Sequence, residues 1–148
     1  LEKYALQLGA DCPFFIENAP KYVQGIGEKM LSVDLALSAY ELKFIFPELH
    51  ISTAEAYGGI TPKILETNLL DLINQPIENW KGKVKNDFEV TAFTKYPQLE
   101  KMKAQLYADG ALYASMSGSG SVLYGVFNSF KIKIPTKLAG IYFLLSLV

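Results

Sequence analysis

Two apolar runs, Leu112–Met116 and Ser121–Phe127, are separated by only Ser117-Gly118-Ser119-Gly120. Each run has the length of a strand, and so short a link joins antiparallel neighbours. A third run, Glu41–Pro47 (E-L-K-F-I-F-P), alternates and then turns apolar, as a core strand does. Helical signals lie between these runs. Gln98–Ala108 keeps Leu99, Met102 and Leu106 at spacings of three and four and stops at Asp109-Gly110. Asn86–Lys95 precedes it, with Pro97 as the break. Asn68–Asn74 carries Leu69, Leu70, Leu72 and Ile73. Ser52, followed three residues later by Glu55, fits a capping box for a helix through about Tyr57, ended by Gly58-Gly59. Gln75–Lys85 reads as a polar loop around Trp80. Strands and helices in this order predict an α+β fold, an antiparallel sheet with helices packed on one face, and a folded core over about residues 38–130.

The first 35 residues read differently. Leu1–Leu8 fits a helix stopped at Gly9, and Pro13 disfavours helix at Cys12. Phe14-Phe15-Ile16 is expected to be a short strand, Glu17–Lys21 a turn, and Tyr22–Glu28 a second strand weakened by Gly25 and Gly27. Residues near Leu31–Tyr40 read as a connection. A chain that opens on L-E-K-Y-A-L-Q-L is expected to begin partway into a larger protein. The expected organisation is therefore a domain remnant over 1–35 and a second domain over 36–148. Phe14, Phe15 and Ile16 would form an exposed apolar patch through which the remnant self-associates. Ile141–Val148 is almost wholly apolar, far too short to span a bilayer, and reads as a strand.

Composition closes several doors. The 148 residues hold 14 Lys plus Arg against 15 Asp plus Glu. Such a balance gives no electrostatic reason to bind nucleic acid or an anionic membrane. Cys12 and His50 are the only cysteine and histidine, which excludes a disulfide framework and argues against a metal centre. The expectation is no metal ligands and a reducing, cytoplasmic setting.

Three segments could carry chemistry. Asp11 in Gly9-Ala10-Asp11-Cys12-Pro13 follows a helix stop and precedes a fixed turn. A carboxylate held there could accept a proton from a hydroxyl, as phosphoryl transfer requires; it could equally be a turn or capping residue. Met116–Ser121 (M-S-G-S-G-S) could form a phosphate nest of successive N–H groups, or simply a hairpin link. It lacks the Gly-Lys-Ser/Thr of a Walker loop. Gly25-Ile26-Gly27-Glu28 lacks the features of a dinucleotide fingerprint and reads as backbone packed closely against a neighbour. Asn86-Asp87-Phe88-Glu89 reads as a helix cap with acids in the first turn rather than a metal cluster.

In order along the chain, L-G-A-D-C-P-F-F at Leu8–Phe15, G-I-G-E at Gly25–Glu28, I-S-T-A-E-A-Y at Ile51–Tyr57, N-D-F-E at Asn86–Glu89 and M-S-G-S-G-S at Met116–Ser121 form a specific set. Over about residues 1–130 this set resembles the C-terminal half of the 4-diphosphocytidyl-2-C-methyl-D-erythritol kinase family. That family is a branch of the galactokinase, homoserine kinase, mevalonate kinase and phosphomevalonate kinase superfamily. The resemblance implies transfer of the γ-phosphoryl of ATP, with Mg²⁺, to a hydroxyl of a cytidine-diphosphate-linked substrate in non-mevalonate isoprenoid biosynthesis. It implies that Asp11 is the catalytic base and that Ile26, Thr53, Ala54 and Tyr57 line the substrate side. Ser117, Gly118, Ser119 and Gly120 would form the third glycine-rich motif beside the nucleotide phosphates. Family members often carry Pro and Phe where this chain has Ala54 and Tyr57.

The family's main phosphate loop, P-x-x-x-G-L-G-x-G-S-S-like, and the lysine that accompanies the aspartate do not occur in these residues. The expectation is a kinase fragment that does not turn over alone. A stand-alone α+β binding domain and another kinase of the same superfamily stay open as alternatives.

Overall fold

A computed structural model describes residues 1–9, 11–61 and 67–129. The expected strand at Ile141–Val148 lies outside the described residues. The element order is α1 (Glu2–Leu8), α2 (Phe14–Glu17), β1 (Lys21–Gln24), β2 (Lys29–Ser32), β3 (Tyr40–Ile45), α3 (Thr53–Gly58), α4 (Leu69–Ile73), a 3-10 turn (Ile77–Asn79), α5 (Phe88–Lys95), α6 (Pro97–Ala108), β4 (Tyr113–Met116) and β5 (Leu123–Asn128).

The central sheet has the order β3-β5-β4, antiparallel throughout. Register pairs Tyr40 with Asn128 and Ile45 with Leu123 on one side of β5, and Met116 with Leu123 on the other. The run expected from Glu41–Pro47 therefore lies beside the run from Ser121–Phe127. β5 is buried on both faces except at its last residue, because its alternate side chains enter two separate cores. Leu123 and Phe127 join Leu99 and Leu106 of α6 and Phe88 and Ala92 of α5. Leu99 and Leu106 are fully buried; burial of this kind contributes about 1.5–3 kcal/mol per side chain. Tyr124 and Val126 point to the opposite face, where Leu69 and Leu72 of α4, Ile77, Trp80 and Val84 cover them. The helices expected on one face are thus α5 and α6, and the opposite face also has a cover. Trp80, expected in a polar loop, is 4% exposed; its indole N–H donates to the Gln75 carbonyl at 3.0 Å and its ring meets Tyr113 edge-on.

Residues 1–35 depart from expectation. Phe14–Ile16 belong to α2, not to a strand. Pro13 at φ −58° and ψ −31° already has helical geometry, and Asn18 in the left-handed region ends the segment. A three-residue apolar run carries no period to separate the two states. Phe14 is buried, so the apolar patch expected from Phe14, Phe15 and Ile16 reduces to Phe15 and Ile16. The strand expected over Tyr22–Glu28 stops at Gln24. Gly25–Glu28 is the link of a β1–β2 hairpin, and β2 takes residues that read as a connection. Tyr22 of that hairpin, with Leu35 and Leu37, packs against the Trp80 core.

Candidate functional site

The loop between β4 and β5 is the best-anchored candidate. Gly118 has φ +52° and Gly120 φ +98°, both in the left-handed region that favours glycine. A Cβ placed on Gly118 would meet nothing within 4 Å, so the loop borders open space there. The Ser117 N–H donates to the Val122 carbonyl at 2.8 Å, and the Gly120 N–H to the Ser117 carbonyl at 3.0 Å. Among the described residues, the N–H groups of Gly118 and Ser119 and the hydroxyls of Ser117 and Ser119 make no hydrogen bond. Such a set of unbonded donors on a glycine-rich bend can receive an anion.

The other side of the loop is held from α5. The Asn86 side-chain NH₂ donates to the carbonyls of Met116 and Gly118, each at 2.8 Å, while its oxygen accepts from the Phe88 N–H at 3.0 Å. The Glu89 carboxylate accepts from the Met116 N–H at 2.8 Å and from the Ser115 hydroxyl at 3.2 Å, and meets Lys103 Nζ at 2.5 Å. The sequence assigns Asn86 a capping role, which it has. Its hold on the loop, and the burial of Glu89, have no local signal, because the groups they bind lie in β4 and the loop that follows it.

The α3 residues lie next to this loop. Ser121 Oγ donates to the Leu49 carbonyl, and a Cβ on Gly120 would approach Ile51 Cδ1 at 3.2 Å. Ile51 leads into α3, where Ser52 Oγ accepts from the Glu55 N–H at 3.2 Å. Only half of the expected capping box forms. The Glu55 carboxylate binds Lys95 Nζ at 2.7 Å and the Tyr96 hydroxyl at 2.9 Å instead. The Lys95 bond, then the Tyr96 bond, lowers the Glu55 carboxyl from its ordinary value. Thr53 and Ala54 on the first turn are exposed. Tyr57 is 51% exposed and packs edge-on against Phe88 at 5.0 Å, one residue from the Asn86–Asp87 pair. Thr53, Ala54, Tyr57 and Ser117–Gly120 therefore stand on adjoining elements.

Asp11 and Ile26 stand elsewhere. Asp11 lies on the turn between α1 and α2, exposed, with its carbonyl accepting from the Phe14 N–H at 3.2 Å. Its carboxylate has no hydrogen-bond or ion-pair partner among the described residues. Ile26 is 84% exposed at the tip of the β1–β2 hairpin, where its N–H donates to Glu28 Oε2 at 2.7 Å. Within the described residues, no hydrogen bond, ion pair or ring contact joins either residue to the loop. No group of three or more His, Cys, Asp or Glu side chains is gathered to hold a metal among the described residues.

Comparison with known proteins gives consistent likenesses. Residues 64–133 match the family described as "GHMP kinases C terminal". The chain is also similar to proteins described as 4-diphosphocytidyl-2-C-methyl-D-erythritol kinases. It is 47% identical over 131 residues to the protein so described from Azobacteroides pseudotrichonymphae genomovar. CFP2, covering 86% of this chain and 48% of that one. Identity is 44% over 128 residues to the protein of the same description from Bacteroides fragilis, covering 86% and 47%. A crystal structure of 4-(cytidine 5'-diphospho)-2C-methyl-D-erythritol kinase superposes with a TM-score of 0.64 at 26% identity, over 84% of this chain and 47% of that one. The chain spans about half the length of the curated relatives it matches. Among the described residues, no helix is long and apolar enough to cross a membrane.

Proposed function

We propose that this chain supplies the C-terminal half of an ATP-dependent kinase acting on a hydroxyl of 4-diphosphocytidyl-2-C-methyl-D-erythritol, in non-mevalonate isoprenoid biosynthesis. The observation that carries this reading is the 117–120 bend, with two positive-φ glycines, the unbonded N–H groups of Gly118 and Ser119, and open space beside Gly118. It fits the phosphates of ATP, which brings Mg²⁺ with it as part of the substrate. Gly118 and Ser119 would donate to those phosphates through their N–H groups and Ser117 and Ser119 through their hydroxyls, while Gly120, its N–H held by the Ser117 carbonyl, would close the bend around them. Thr53 and Ala54 would face the acceptor, and the exposed ring of Tyr57 would stack on its cytosine. Ile26 would meet the acceptor from the exposed tip of the hairpin. Residues 1–35 are read as part of the preceding kinase domain, and 36–148 as the substrate-side domain. Exposed Phe15 and Ile16 on α2 would face the rest of that domain, or a second copy of the chain where it is missing. The lone free cysteine suits a cytoplasmic enzyme.

In this reading Asp11 accepts the acceptor's proton as its oxygen bonds to the γ-phosphorus, and ADP leaves with the broken β–γ bridge. An exposed carboxylate with no partner among the described residues is free for that task. Asp11→Asn keeps the shape and removes the base. In the full-length protein kcat should fall by about 10²–10⁴-fold, with KM for both substrates little changed. A folded variant with kcat within about threefold of wild type would make Asp11 a turn residue, because Asn forms such turns equally well.

A further inference from the structure

The bend proposed to receive phosphate is not shaped by its own sequence alone. Both peptide groups of Met116, where β4 ends, are gripped by side chains of one helix start: Glu89 takes its N–H and Asn86 its carbonyl. The same Asn86 amide reaches past Met116 to the Gly118 carbonyl. A peptide unit whose carbonyl is pinned has its following N–H aimed as well, because the six atoms are coplanar. The Gly118 carbonyl and the Ser119 N–H belong to one such unit. Pinning the Met116 and Gly118 carbonyls toward α5 turns the Ser119 N–H, and with it the face of the bend, the other way.

We propose that Asn86 is a positioning residue for nucleotide phosphate: it holds the 117–120 bend open with its N–H groups presented, without touching the ligand. The proposal rests on the reading of the bend as a phosphate site. Asn is required there by donor count. Its NH₂ faces two carbonyls and its oxygen faces the Phe88 N–H, so the amide fits in one orientation only. Asn86 is 7% exposed, so water does not readily replace either donor.

Asp at this position is nearly the same shape. It still accepts from the Phe88 N–H and suits the positive end of α5, so the helix keeps its cap. It sets a carboxylate oxygen against the Met116 and Gly118 carbonyls and must release the bend. The test compares Asn86→Asp with Gly118→Val in the full-length protein. Gly118→Val places side-chain atoms in the open space that the phosphate would fill and, at φ +52°, strains the bend directly and independently of Asn86. The readouts are ATP affinity by calorimetry, the amide shifts of Gly118 and Ser119 on adding ATP, and KM for each substrate. The expected result is ATP affinity at least about tenfold weaker in both variants. KM for the cytidine substrate should be unchanged, and the two amide signals should move on ATP addition in wild type only. Should Asn86→Asp fail to fold, Asn86→Ser retains a neutral cap oxygen, lacks the NH₂ donors and must give the same split. Weakening by Gly118→Val alone would overturn the positioning role and leave the phosphate site standing. No effect of Gly118→Val on ATP would overturn the phosphate site itself, and with it this role.

Discussion

Glu89 is 9% exposed, and every contact it makes holds one element to another. One oxygen accepts from Met116 N–H and Ser115 Oγ of β4, and the other pairs with Lys103 of α6. Removing one partner of a buried pair leaves the other charge uncompensated and, here, the Met116 N–H unbonded, while the Ser115 hydroxyl keeps the Met116 carbonyl at 3.3 Å. Glu89→Ala should therefore cost about 3 kcal/mol, the lower end of the range for such pairs because Lys103 keeps some access to water. Urea unfolding of the chain checks this, and a loss below about 1 kcal/mol would refute it. Glu89→Gln should recover part of the loss, because its amide oxygen still accepts from Met116. The acid was visible in the sequence, but its fate was not. An acid in a first helical turn reads as solvated, and nothing local reveals that β4 ends against that turn. Asn86 was legible as a cap for the same reason that its second role was hidden: its oxygen acts locally, whereas its NH₂ bonds residues thirty places away.

At the scale of elements, long periodic or bounded segments were legible and short ones were not. α6, with Leu99, Met102 and Leu106 on one face, and the β4–β5 pair follow the pattern closely. α2 did not, since four residues hold barely one turn. The β1–β2 hairpin was hidden because its link, Gly25–Glu28, carries a chargeable side chain that closes the turn from within. The Glu28 carboxylate accepts from the Ile26 N–H, and a Cβ on Gly25 would run into that carboxylate. Its pKa lies below the ordinary carboxylate value, first through the bond from its own N–H and then through that from Ile26. A lowered folded-state value means that this stabilisation is fully present above the unfolded-state value and is lost as pH falls through the folded-state one. The Ile26 amide should therefore exchange slowly at neutral pH, after correction for intrinsic rates, and lose its protection on acidification through the carboxylate range. Protection unchanged by acidification, or the same in Glu28→Ala, would show that Glu28 does not close the turn. Because Ile26 is a proposed substrate contact, the same titration reads how firmly its position is set.

Across the whole molecule, the sheet divides two cores, and the candidate site collects at one end of it. The 117–120 bend, the start of α5 and the start of α3 meet there, tied by Asn86, Ser121 and the Tyr57–Phe88 contact. Phosphoryl transfer depends almost wholly on positioning and on charge stabilisation around the transferred group. On the proposed reading, the unbonded donors of one bend would reach only part of an ATP phosphate chain. The 148 residues contain no second glycine-rich run of the P-x-x-x-G-L-G-x-G-S-S kind, and no lysine has a contact with Asp11 among the described residues. The chain by itself should then fold around its sheet yet show no steady turnover. The check is ADP release from ATP with the cytidine-diphosphate-linked acceptor present and absent, on the chain alone and on the full-length protein. Acceptor-dependent release by the full-length protein only is the expected outcome. Acceptor-dependent release by the chain alone would mean that the 117–120 bend and Asp11 suffice for catalysis. Absence of release from both, with folding intact, would instead favour a binding domain that has kept the fold without the chemistry.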